Sequence, residues 1–86
     1  MRNYIVDFLT YQDTQYINSD CNSITFYCNW FEGGITINDS IYLTGGKSFT
    51  ISGNEGEIDK THYKVVPDST FVATGGYYTV IRKTYI

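Results

Sequence analysis

An all-β fold is predicted by three observations: strand-forming residues dominate, apolar residues alternate with period two, and turn residues recur about every 8–12 residues. The 86 residues include 10 Ile, 11 Thr, 9 Tyr, 5 Val and 5 Phe against 1 Ala and 2 Leu, so the strongest helix formers are nearly missing. The pattern is that of a compact β-sandwich, with a small β-barrel as the alternative, built from about seven to eight short antiparallel strands. A chain of this length has room for one core, so residues 1–86 are expected to form a single domain.

In chain order, Asn3–Leu9 alternates weakly and reads as a first strand, while Thr10–Asp20 is polar and reads as a loop or an arm. In Ser23–Glu32, Ile24, Phe26, Cys28 and Trp30 share one face, and Thr25, Tyr27, Asn29 and Phe31 share the other, which describes a half-buried strand with an aromatic second face. Gly33-Gly34 breaks this run before Ile35 and Ile37 resume it, the signature of a hairpin. Asn38-Asp39-Ser40 turns the chain into Ile41–Leu43, and Gly45-Gly46-Lys47 turns it into Ser48–Ser52, where Phe49 and Ile51 share a face. The echo between ITIN and FTIS is expected from neighbouring strands sharing a face. Beyond the acidic turn at Gly53–Glu57, Glu57–Lys60 is the one stretch read as a helical turn. His62–Val66, Thr70–Ala73 and Tyr77–Ile86 read as the remaining strands. In the last, either Tyr78 and Val80 or Tyr77, Thr79 and Ile81 could face inward.

The formal net charge is −3, so the chain lacks the cationic surface that supplies affinity for nucleic acid or an anionic bilayer. Asp7 interrupts the N-terminal apolar run below signal-peptide length, and no membrane partner is expected. Cys21 and Cys28 are too few for a disulfide framework or a zinc site; both are expected free, Cys28 in the core and Cys21 in a loop.

Individual motifs do not reach a chemistry. Gly45-Gly46-Lys47-Ser48 ends like a phosphate-binding loop, but Ile41 stands where the first glycine belongs and a strand follows in place of a helix. Glu55, Glu57 and Asp59 have the spacing of hard oxygen ligands, yet Val66 occupies the place of the bidentate glutamate, and a solvated acidic turn accounts for them. His62 is the only histidine and sits among Lys60, Tyr63 and Lys64, without a carboxylate partner beyond Asp59. No catalytic residue, metal ligand or cofactor is therefore assigned, and the chain is expected not to be an enzyme.

The aromatic residues carry the remaining functional signal. Rings at the edge of a small core can simply cover it with their hydroxyls in water. Tyr27, Asn29, Trp30 and Phe31, with Tyr77 and Tyr78, could equally present an interaction surface, because large rings bring contact area at low entropic cost.

The stretch ITINDSIYLTGGKSFTISGNEGEID (35–59) and the ending VIRKTY (80–85) resemble small β-domain proteins of tailed bacteriophages infecting Bacteroidota, the crAss-like phages among them. The resemblance implies a virion component, such as an auxiliary or decoration capsid protein or a head-fibre subunit, assembled in the host cytoplasm. It also implies docking on a major capsid or other virion protein, with homo-oligomers as a further expectation. On this reading the N-terminal arm through about Asp20 adds as a strand to a neighbour. The alternatives are a carbohydrate-binding module, with sugars stacked on exposed rings, and an inhibitor of a host enzyme.

Overall fold

Alternation of apolar and polar residues decides which side of each strand is buried, and the burial follows it closely. A computed structural model describes residues 3–54 and 56–86. Among them are eight strands and one short helix: β1 (Tyr4–Tyr11), β2 (Gln15–Asn18), β3 (Ser23–Cys28), β4 (Gly34–Ile37), β5 (Ile41–Thr44), β6 (Ser48–Ser52), β7 (His62–Pro67), α1 (Ser69–Ala73) and β8 (Tyr78–Tyr85). The strands form two four-stranded antiparallel sheets, one ordered β1-β8-β3-β6 and the other β2-β7-β4-β5. Every connection except β4–β5 crosses from one sheet to the other, which is the eight-stranded jelly-roll arrangement of a β-sandwich.

The first sheet contributes Ile24, Phe26, Cys28, Tyr78 and Val80 to the core, and the second contributes Ile17, Ile35, Ile37, Leu43, Tyr63 and Val65. Phe26 faces Val80 across the β3·β8 ladder and meets Tyr63 of the opposite sheet edge-on, with ring centroids 5.1 Å apart. Burying one such side chain stabilises the fold by about 1.5–3 kcal/mol. The β8 register is thereby settled: Tyr78 and Val80 point inward, and Tyr78 donates its hydroxyl hydrogen to the Asp13 carbonyl (2.7 Å).

Several expectations are corrected. Thr10–Asp20 is neither a loop nor a free arm: β1 extends to Tyr11, and β2 pairs with β7 and buries Ile17. Gly33-Gly34 does not close a hairpin but carries the chain from one sheet to the other. At Gly33, with φ +83°, a Cβ would lie 2.4 Å from the Asp68 carboxylate, so the crossing requires glycine. Gly45-Gly46 likewise joins β5 to β6 across the two sheets, and so the ITIN and FTIS strands are not neighbours. Among the described residues the one hairpin is β4–β5, where Asn38 and Asp39 both take positive φ in a type I′ turn closed by Ser40 N–H to Ile37 C=O (3.0 Å).

Thr70–Ala73, read as strand from its Thr, Phe and Val, belongs to α1. Local capping overrides propensity there. Asp68 accepts from Phe71 N–H (2.8 Å) as N-cap, and Gly75, at φ +81°, ends the helix in a Schellman motif with Gly76 N–H on the Phe71 carbonyl (2.8 Å). No helix forms at Glu57–Lys60 among the described residues; Asp59 instead bridges to Cys21, which lies in the β2–β3 connection, as expected, and is buried there. Both cysteines are free.

Candidate interaction surface

The crossings between sheets collect four loops at one end of the sandwich: β1–β2, β3–β4, β5–β6 and the turn from α1 into β8. Of the six residues singled out in the sequence, five gather at or beside this end. Asn29, just past β3, donates its amide to Thr79 Oγ (2.6 Å) at the start of β8. Trp30 is half-buried against the core; its indole N–H reaches Thr74 Oγ (2.8 Å), and its ring lies 5.8 Å from that of Tyr77 at an angle of 56°. Tyr27 stands on the outer face of β3, beside Thr79 and Ser48.

Phe31 is 82% exposed, the largest exposure among the large hydrophobic side chains described. It is nonetheless seated: a Cβ on Gly45 would lie 2.4 Å from its ring, so the Gly45-Gly46 turn forms a floor that only glycine permits. Tyr78 is the exception. It is fully buried and packs against Tyr11 and Phe71, because the parity that exposes Tyr77 turns Tyr78 into the core. It therefore leaves the surface and becomes part of its foundation.

The nearby α1 adds Val72, which is exposed while its neighbour Phe71 is buried. That contribution was hidden in the sequence because the segment reads as strand; the Asp68 cap and Gly75 were the available signals. Asp68 fixes this end of the molecule. Its carboxylate accepts from Phe71 N–H, Gly34 N–H (3.0 Å) and Tyr42 O–H (2.6 Å), contacts that hold its pKa below the ordinary carboxylate value, the Tyr42 bond first.

The acidic turn and the histidine lie elsewhere. Asp59 accepts from Thr61 and, at 2.7 Å, from the Tyr63 hydroxyl, which lowers the Asp59 pKa. Burial, reinforced by that hydrogen bond, pushes the Tyr63 phenol up to about 12. Glu57 caps Asn54 N–H (2.9 Å), and Glu55 lies outside the described residues. His62 is exposed on β7 and hydrogen-bonds the Asn18 side chain across the β2·β7 ladder. These acidic residues thus act on local backbone and hydroxyl groups. Among the described residues no pocket and no cluster of metal-ligating side chains is found, and no helix is long and apolar enough to cross a membrane. Comparison with protein-family models, with curated proteins and with solved structures finds no match.

Proposed function

We propose that this chain is a non-enzymatic interaction protein, a structural or accessory component of a bacteriophage particle such as an auxiliary or decoration capsid protein. It docks on a shell-forming protein through its aromatic loop end. The observation that carries the reading is Phe31: a phenyl ring 82% exposed, held over a glycine floor next in sequence to the Trp30–Tyr77 ring pair, gains little from its own fold and much from a partner. The jelly-roll arrangement supports it by analogy, since capsid and lectin domains use that architecture, though fold alone does not assign function. Contact is made by protein surface, with neither nucleic acid nor membrane as partner, in keeping with the net charge of −3.

The test is to tag the protein in its native source and determine by mass spectrometry what co-purifies and in what ratio. Recovery in many copies with one abundant shell-forming protein is expected, and Phe31→Ser should weaken that association by about 30-fold or more while leaving the fold's stability within ~0.5 kcal/mol. Recovery alone would refute the reading.

A second reading, a carbohydrate-binding module, is favoured by the tilted Trp30 and Tyr77 rings with the Asn29 amide beside them. It predicts that a sugar changes Trp30 fluorescence on titration. An inhibitor of a host enzyme would instead co-purify with that enzyme at equal ratio.

A further inference from the structure

The two sheets have four edges, and three are strands of only four or five residues, β2, β5 and β6. Shortness is one of the ordinary ways in which an edge is kept from pairing with other chains. The fourth edge, β1, has eight residues, no proline and a single charge, Asp7. Ile86 donates its N–H to the Asn3 carbonyl (3.0 Å), which makes these two a hydrogen-bonded pair in the β1·β8 register. Since bonded and non-bonded pairs alternate, Ile5, Asp7, Leu9 and Tyr11 direct their backbone groups at β8. Tyr4, Val6, Phe8 and Thr10 direct theirs out of the sheet, and among the described residues no strand pairs with that side. Tyr4, Ile5 and Phe8 are all exposed there, Phe8 to 69%.

We propose that β1 pairs antiparallel with β1 of a second copy about a two-fold axis at Phe8, joining the two sheets into one of eight strands. Two-fold axes at Asp7 and at Phe8 each keep seven residues of Tyr4–Tyr11 paired with themselves, more than an axis at Val6, and the strand's charge chooses between these two. An axis at Asp7 would set the two Asp7 side chains opposite each other at the closer, non-hydrogen-bonded spacing of about 4.5 Å, where like charges destabilise. An axis at Phe8 sets Phe8 against Phe8 as a bonded pair, Val6 against Thr10, and Asp7 against Leu9. Asp7 also keeps its ion pair with Arg82 (3.6 Å) in its own chain. The outer face of the joined sheet carries Tyr4, Val6, Phe8 and Ile81 near the axis and no acidic side chain from β1, β8, β3 or β6, while the two Asp7 lie on the inner face, diagonal to one another, so no carboxylates are set directly opposite across the seam. The face that docks in the proposed function is a different one, and either can fail without the other.

The experiment is sedimentation of the full chain at about 0.2 mM, above the micromolar range expected for a modest interface. Twice the 9.8 kDa chain mass is expected. Val6→Pro removes an edge donor that β8 does not use, and Phe8→Lys puts a charge on the axis; both should return the protein to monomer with its thermal unfolding retained. Independently, Phe8→Cys should form a disulfide-linked dimer on mild oxidation, because the paired positions lie about 5.5 Å apart, within disulfide reach. Asp7→Cys, opposite Leu9, should not. A monomer at that concentration, a dimer indifferent to both edge variants, or cross-linking through Asp7→Cys in place of Phe8→Cys would overturn the proposal.

Discussion

Replacing Asp68 with alanine should destabilise the protein by about 2–3 kcal/mol, a figure that follows from what each carboxylate contact leaves behind. Loss of the N-cap bond to Phe71 costs about 1 kcal/mol. Loss of the bond to Gly34 strands a buried backbone N–H at the start of β4, which costs a further 1–2 kcal/mol or so. The Tyr42 hydroxyl is exposed and returns to water, so its bond adds little despite its 2.6 Å length. At roughly 4–8 °C per kcal/mol for a domain of this size, the midpoint of thermal unfolding should fall by about 10–20 °C. Asp68→Asn retains a competent cap but loses one acceptor, and should cost about half as much. The acid dependence follows from the same contacts. The carboxyl pKa is lower in the folded than in the unfolded chain, so its contribution is complete above the unfolded pKa near 4 and is lost as pH falls through the folded value. The variant should therefore show a shallower loss of stability in acid. Circular dichroism melts of the three proteins between pH 7 and pH 3 provide the assay. An Asp68→Ala midpoint within a degree or two of the parent would refute the claim that this carboxylate holds α1, β4 and β5 together.

Three further outcomes are expected. Asn22, buried, gives its amide to the Glu57 carbonyl (2.7 Å) and accepts from Tyr85 N–H (2.7 Å); Asn22→Leu, of similar volume, should cost about 2–4 kcal/mol in chemical denaturation by leaving both groups unpaired. The Tyr63 phenol loses its proton near 10 in the unfolded chain but near 12 in the folded one, so stability should fall as pH rises across that window, and Tyr63→Phe should flatten the fall in alkaline melts. Cys21 and Cys28 are buried, and burial raises the Cys21 thiol pKa, so a thiol reagent should modify both only at the rate of unfolding; rapid modification of either in the native protein would contradict their burial.

What was legible in the sequence is what period-two alternation encodes. Ile24, Phe26 and Cys28, then Ile35 and Ile37, are core residues because their parity says so, and the all-β class follows. Which strand pairs with which was not legible. The same Gly-Gly signal that can close a hairpin instead carries the chain between sheets at Gly33 and Gly45, since a turn residue encodes a local φ and not the sheet that comes next. β2 escaped notice because a four-residue edge strand needs only Ile17 to be buried. Tyr77 and Tyr78 were indistinguishable by type, and only packing beneath Val80 separates the exposed ring from the core one. The candidate surface was legible to the extent that Asn29, Trp30 and Phe31 run on past the end of β3. Trp30 keeps the strand's inward parity, but beyond the last ladder pair it becomes half-buried and packs against Tyr77.

Whether the aromatic loop end docks on a shell-forming protein, as proposed, would be visible in a cryo-electron microscopy map of the native particle. Ordered copies of the sandwich are expected, with Phe31 and Tyr77 turned toward the shell. Copies seated with those rings facing solvent, or a particle without this chain, would contradict the proposal.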